Sequence, residues 1–177
     1  MKTELPIAQA YTITTRDVYE DGRGLFCEIW RKNDSTEKNF LQRNVSVSKK
    51  NVLRGMHSMT YKAQAKLVTC IYGQVLDVIV DARRLSPTFK CGYALTLDYK
   101  KMNSIYVPPG VLHGFLVLSE VAVVEYDCSN YFEKRYDGGA RWDSPEIKKY
   151  FPKDLKPVLS SKDDKLPSFE EFVRQKG

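Results

Sequence analysis

Two histidines, His57 and His113, are the whole imidazole complement of the chain, and both sit close to glycines. His57 closes the run Leu53-Arg54-Gly55-Met56-His57, and His113 lies in Pro109-Gly110-Val111-Leu112-His113-Gly114-Phe115. An imidazole with an ordinary pKa near ~6.5 is the natural general base at neutral pH. A lone histidine is commonly a satisfied structural residue. Two of two at strand–turn junctions are placed where side chains can point into a cavity mouth. Metal chemistry has less support. No H-x-H, H-x-x-x-H or H-E-x-x-H occurs, and two histidines cannot build a three-histidine site. A two-histidine site with a carboxylate stays formally open, but no metal is expected. Glycine-rich nucleotide loops are also missing, so no redox cofactor is expected.

The segments that must position these groups read as short strands. Residues 41–48, 66–72, 74–81, 92–98, 103–108, 114–119 and 121–127 are β-branched or aromatic, with turn residues between them. Pro109 followed by Gly110 suits a type II turn. Many short strands at regular spacing, almost without helical periodicity, indicate a sandwich or barrel. Helix is expected only near the end, in P-S-F-E-E-F-V-R-Q-K, where Ser168 could cap and Glu171 follows three residues on.

Two of these strands carry polar groups that a plain core would not. In L-Q-R-N-V-S-V-S, alternation sets Gln42, Asn44, Ser46 and Ser48 on one face and Leu41, Val45 and Val47 on the other. The polar face is either the wet side of an antiparallel sheet or a barrel interior that holds a hydrophilic ligand. In Q-V-L-D-V-I-V-D, Asp77 shares a face with Val75 and Ile79, while Leu76, Val78 and Val80 lie opposite. A carboxylate on a strand that is apolar on both faces costs several kcal/mol unless it is paired or hydrogen-bonded.

Bulk properties exclude several classes. The 177 residues suggest one domain with a short C-terminal extension, and 42% hydrophobic with 28% charged residues is an ordinary soluble composition. No apolar run approaches the roughly 20 residues that cross a bilayer, so no membrane partner is expected. The start M-K-T-E-L-P-I-A-Q-A-Y lacks the apolar core of a signal peptide, which implies a cytoplasmic protein. Cys27, Cys70, Cys91 and Cys128 show no C-x-x-C spacing and read as reduced, partly buried thiols. The net charge of +6 is spread through turns and tail without the concentrated stripe that nucleic acid needs. It suits a small anion such as a nucleoside diphosphate.

Taken in order, D-G-R-G-L-F-C-E (21–28), Q-R-N-V-S-V-S (42–48), L-R-G-M-H (53–57), Q-A-K-L-V (64–68), G-Q-V-L-D-V-I-V-D-A-R-R-L-S-P-T-F (73–89), P-P-G-V-L-H-G-F-L-V-L-S-E (108–120) and L-S-S-K-D (159–163) resemble the dTDP-4-dehydrorhamnose 3,5-epimerase family. The resemblance covers nearly the whole chain. It implies an all-β double-stranded β-helix (cupin, jelly-roll) barrel with a short C-terminal helical segment. Residues 1–40 would supply N-terminal strands at a dimer interface, 41–130 the barrel core and 131–177 the extension. It also implies a homodimer and a nucleoside-diphosphate sugar substrate, with no cofactor. His57 matches the family's general base, Asp163 the acid that orients it, and Tyr126 the proton donor on the opposite face. Lys66 and His113 match groups that surround the sugar and steady the enolate oxygen. Arg23, Glu28, Gln42, Asn44 and Arg54 match residues that hold the nucleotide diphosphate, some of them from the other subunit. Phe132 falls where an aromatic ring lies against the base, and Asp137 and Lys162 at further ligand positions.

The chemistry explains those residue types. A ketone at C4 acidifies the hydrogens on C3 and C5, though too little for a free imidazole in water. A cation or donor at the enolate oxygen, in a site that excludes water, lowers that barrier. Inversion then needs a base on one face and an acid on the other. The chain departs from the family pattern at Ser58 and Met59, Leu112, Asp127, Phe132 and Asp137. Leu112 and Met59 could tilt the sugar ring and spare one carbon, which would make a mono-epimerase. Other readings stay open: a 3,4-ketoisomerase on the same barrel, a non-catalytic sugar-nucleotide-binding module, and a structural barrel in which both histidines and Asp77 are satisfied core groups.

Overall fold

A computed structural model of the chain describes residues 2–13, 17–31 and 39–175. Its strands are β1 (Lys2–Glu4), β2 (Tyr11–Ile13), β3 (Val18–Asp21), β4 (Gly24–Cys27), β5 (Gln42–Lys49), β6 (Leu53–His57), β7 (Lys66–Tyr72), β8 (Gln74–Asp81), β9 (Gly92–Asp98), β10 (Ser104–Val107), β11 (Val111–Val117) and β12 (Val121–Cys128). One sheet runs β1-β2-β10-β7-β12-β5, a second β6-β11-β8-β9, and β3 and β4 form a hairpin of their own. Every pairing between these strands is antiparallel. The two large sheets face each other as a jelly roll, the double-stranded β-helix of cupins. Val68, Val124, Ile105, Val75, Ile79, Leu97, Phe115 and Val117 fill the space between them.

A second core explains why β8 and β11 are apolar on both faces. Leu53, Met56, Val78, Val80, Leu112 and Leu116 point out of the barrel and pack under Ile147, Phe151, Phe169, Phe172 and Val173 from the C-terminal extension. Covering that face removes the second apolar side of the sheet from water, at roughly 25 cal/mol per Å² buried. The helix expected at the end is α3 (Phe169–Gln175), and Ser168 and Glu171 form the reciprocal cap. Two four-residue helices, α1 (Pro145–Lys148) and α2 (Ser161–Asp164), and a 3₁₀ turn at Lys134–Tyr136 precede it, where no helix was expected. Pieces of one turn are too short to display a 3.6-residue period.

The expected strands all form, within a few residues at their ends. The strand β6 was expected only as a junction. Its alternation is interrupted at Gly55, which has φ +128° and faces Gly114 so closely that a Cβ would lie 2.5 Å from the Gly114 Cα. Two facing glycines let β6 and β11 approach, and they set the two histidines side by side. The turn before β11 is as read: Val111 N donates to Pro108 O at 3.3 Å, and Gly110 takes φ +84°.

On β5 the structure selects the interior reading. Ser48 is buried and Gln42, Asn44 and Ser46 are half-buried, whereas Val45 and Val47 are 58% and 64% exposed. This edge strand turns its polar side into the barrel.

Candidate active site

The site is built where β6 and β11 run side by side. His57 ends β6, and its Cα pairs with that of His113 on β11. Helix α2 delivers Asp163 to the first ring: Ser160 caps the helix by accepting from Asp163 N at 3.1 Å, and Asp163 Oδ1 lies 2.7 Å from His57 Nε2. The other oxygen, Oδ2, accepts from Gly55 N at 3.4 Å. A carboxylate on Nε2 fixes the proton there and leaves Nδ1 as the basic nitrogen. Burial pushes the His57 pKa below its ordinary value, and Asp163 pulls it part of the way back. The imidazole is therefore a neutral base at pH 7. Burial opposes ionisation of Asp163, but the hydrogen bond and charge of His57, the Gly55 N–H and the Lys162 charge together outweigh it and keep the carboxyl below its usual range.

The facing sheet contributes the remaining reactive groups. Lys66 opens β7, and Tyr126 lies on β12 with Asn44 and Val68 as cross-strand partners. Burial lowers the Lys66 pKa, and the charges of Cys128, Asp77 and Asp137 offset part of that. The Lys66 ammonium makes no hydrogen bond or ion pair among the described residues, so it is free to meet a ligand. Burial raises the Tyr126 phenol, so it keeps its proton at neutral pH.

Two adjoining cavities of about 320 and 220 Å³ share His57, Lys66, Tyr126 and Lys162. The first is also walled by Gln42, Asn44, Phe132 and Asp137, and the second by Arg54, His113 and Asp163. Eleven of the thirteen site residues expected from the sequence thus line one continuous chamber. Gln42 ties its wall together: its Oε1 accepts from Phe132 N at 2.8 Å, and its Nε2 donates to Asn44 Oδ1 at 2.9 Å. Lys162 Nζ pairs with Asp137 Oδ2 at 2.6 Å, and Arg54 Nε donates to Ser48 Oγ at 2.9 Å.

Arg23 and Glu28 are not brought in. Arg23 sits at the turn of the β3–β4 hairpin paired to Asp21, and Glu28 just beyond it is paired to Arg31. Neither lines the chamber of its own chain.

The departures sort by face. Ser58 and Met59 do line the first cavity. Leu112 does not: it is fully buried in the outer core, because alternation along β11 turns it away from the side that carries His113. The expectation that Leu112 tilts the sugar is therefore corrected. Asp127 also faces out of the barrel, where it holds Arg43 through Nε at 2.8 Å and Nη2 at 3.1 Å. Sequence reasoning left Gln64, Ser46 and Ser160 unassigned, although all three line the chamber. The polar stripe of β5 signalled Ser46, and the Q-A-K-L-V and L-S-S-K-D runs contained the other two. Among the described residues no three histidine, cysteine or acidic side chains group as a metal site would require.

Comparison with known proteins bears on the family and the fold. A family model for dTDP-4-dehydrorhamnose 3,5-epimerase matches residues 4–171. The chain is 39% identical over 150 residues to a dTDP-4-dehydrorhamnose 3,5-epimerase of Neisseria gonorrhoeae, a match covering 82% of this chain and 46% of that protein; it thus spans less than half the length of that relative. Among solved structures it resembles the dTDP-6-deoxy-D-glucose-3,5-epimerase of Legionella pneumophila in complex with dTDP-4-keto-L-rhamnose, at TM-score 0.89 and 31% identity, covering 96% of this chain and 93% of that one. It also resembles ChmJ, a 3'-monoepimerase from Streptomyces bikiniensis in complex with dTDP-quinovose, at TM-score 0.89 and 29% identity over 97% of this chain and 89% of that one. By its fold, its chamber and the family match that runs almost end to end, the chain belongs to the dTDP-4-dehydrorhamnose 3,5-epimerase family of isomerases.

Proposed function

We propose that this protein epimerises a nucleoside-diphosphate 4-keto-6-deoxy sugar, with dTDP-4-keto-6-deoxyglucose as the first substrate to test. The observation that carries the reading is the His57–Asp163 pair, at 2.7 Å, opening on a chamber that Lys66 and Tyr126 also line. His57 Nδ1 takes the proton from C3 or C5. The C–H electron pair moves toward C4, whose oxygen becomes the enolate, steadied by Lys66 and His113. Tyr126 returns a proton from the other face, and the carbon is inverted. Gln42, Asn44, Arg54, Phe132, Asp137 and Lys162 hold the rest of the substrate. Protons move in this scheme and electrons do not leave the substrate, so no redox partner enters it.

A homodimer completes the site in this reading. Val45, Val47, Tyr72 and Val121 form an exposed apolar strip on the outside of the six-stranded sheet. Tyr19 and Phe26 project from the hairpin, 62% and 70% exposed. A second copy would cover such surface and receive Arg23 and Glu28 of its neighbour at the diphosphate. A monomer mass at micromolar concentration would refute this. Cys27, Cys70, Cys91 and Cys128 form no disulfide among the described residues, which supports a reducing, cytoplasmic setting. A second reading, inversion at one carbon only, is favoured by Ser58 and Met59 in the chamber wall and by the likeness to a 3'-monoepimerase. Deuterium incorporation from solvent, followed at C3 and C5 with dTDP-, CDP-, GDP- and UDP-linked 4-keto-6-deoxy sugars, decides between them. Exchange with none of the four would overturn the proposal.

A further inference from the structure

We infer that Asp77 is a positioning residue acting through His113: its carboxylate holds that imidazole doubly protonated, so that Nδ1–H donates to the C4 oxygen as the enolate forms. The inference rests on the epimerase reading and adds to it a residue and a charge state.

Asp77 occupies one of the two nitrogens of the His113 ring. His113 Nε2 lies 2.8 Å from Asp77 Oδ2, and the two residues lie on neighbouring strands with His113 paired to Ile79 and Asp77 to Phe115. The carboxylate claims the Nε2 proton. A neutral ring would then leave a lone pair on Nδ1, which repels an enolate oxygen. Only the imidazolium can donate to Asp77 and to the substrate together.

His57 has the same arrangement, Nε2 on a carboxylate, and must be neutral to act as a base. What separates the two pairs is how well each carboxylate is otherwise satisfied. Asp163 has a partner on each oxygen, His57 on Oδ1 and Gly55 N on Oδ2. Asp77 is 0% exposed, and its Oδ1 is buried without any partner. A buried carboxylate with one hydrogen bond is costly to keep ionised unless a full positive charge lies against it. The ring of His113 is the group in hydrogen-bond contact that can supply it. The groups around that ring are identifiable. Asp77 comes from β8, His57 lies across on β6, Phe115 of its own strand has its ring centroid 6.4 Å away, and the cations Lys66 and Arg54 line the same chamber. Lys66 and Arg54 oppose a charge on His113, and Asp77 is the one carboxylate hydrogen-bonded to it. Its place on a strand apolar on both faces already made Asp77 conspicuous in the sequence, and no other role described above uses it.

The test is imidazole ¹⁵N NMR of histidine-labelled full-length protein with dTDP bound, at pH 7.5, with resonances assigned through His113→Gln. The expected spectrum has both His113 nitrogens in the protonated range and His57 as a neutral ring. In Asp77→Asn, which keeps an acceptor but removes the charge, the imidazolium signature disappears. In the same variant kcat falls roughly 100-fold, the cost of losing one oxyanion donor, with KM within about threefold. A neutral His113 in the wild type overturns the proposal, as does a kcat within about twofold in Asp77→Asn. If that variant does not fold, the wild-type spectrum decides alone. The spectrum requires no turnover, so failure of the epimerase reading, seen as no exchange at C3 or C5, registers separately.

Discussion

His57 and His113 are cross-strand neighbours whose rings each present Nε2 to a different carboxylate, Asp163 at 2.7 Å and Asp77 at 2.8 Å. The first carboxylate arrives on a one-turn helix from the C-terminal extension and the second from the barrel strand β8. Close approach of Gly55 and Gly114 holds the two pairs beside each other. The exposed ring, 29% accessible at its side chain against 6% for the other, is the one suited to exchange protons with a substrate.

Asp163 raises the pKa of His57 against the lowering effect of burial. Replacing it by asparagine should let the imidazole titrate at still lower pH. The acid limb of kcat/KM, already expected below about 6.5, should therefore move further toward acid in Asp163→Asn. The plateau should fall roughly 10²–10⁴-fold as the tautomer is no longer fixed. A pH–rate profile reads both effects; a limb that moves toward neutral would contradict the assignment.

Tyr126 is assigned the return of the proton, so its loss should separate exchange from inversion. In Tyr126→Phe, His57 can still take and give back a proton on its own face. Solvent deuterium should continue to enter the substrate while inverted product falls roughly 10²-fold or more. Proton NMR of the sugar ring during one incubation measures the two rates together. Equal loss of both would place Tyr126 elsewhere in the mechanism.

Leu112 and Met59 should behave differently although both depart from the family pattern. Leu112→Ala removes a fully buried side chain from the outer core and should cost about 2–5 kcal/mol in denaturant unfolding. The ratio of C3 to C5 exchange should not change. Met59→Leu reshapes the chamber wall, so that ratio should move while stability changes by less than about 1.5 kcal/mol. The opposite pattern would return Leu112 to the sugar pocket.

Asp81 predicts how the fold responds to acid. It is fully buried, and although burial opposes its ionisation, Arg83, Ser86 and Thr88 hold its pKa at about 2. Its ordinary value is 3.8, so its native state favours the ionised form. The resulting stabilisation, about 2 kcal/mol, is complete above the unfolded value and is lost as pH falls from about 4 toward 2. Asp81→Asn should lower stability at pH 7 by that order and flatten the acid limb of unfolding. Equal acid sensitivity in variant and wild type would show that another carboxylate sets the limb.

Much of this was legible before the fold was known, and the failures have identifiable causes. The period-two pattern of β5 isolated Gln42, Asn44 and Ser46, and an acid amid the apolar run of β8 marked Asp77. Proximity in sequence misled at Leu112, because adjacent residues on a strand point to opposite faces. The strand β6 was hidden by Gly55, which has no side chain to continue the alternation. Nothing local in L-S-S-K-D shows that Asp163 meets His57, 106 residues away. Only the family resemblance joined them. Arg23 and Glu28 make the same point in reverse: the resemblance assigned them to a ligand, but within one chain they pair with Asp21 and Arg31.

The central claim is that His57 removes a proton next to the C4 ketone. Its most direct test is solvent deuterium incorporation into dTDP-4-keto-6-deoxyglucose, followed by NMR for wild type and His57→Ala side by side. The account predicts deuterium at C3, C5 or both with the wild type. Incorporation should be at least about 10²-fold slower in the variant, with dTDP binding retained. Undiminished exchange in His57→Ala would contradict it.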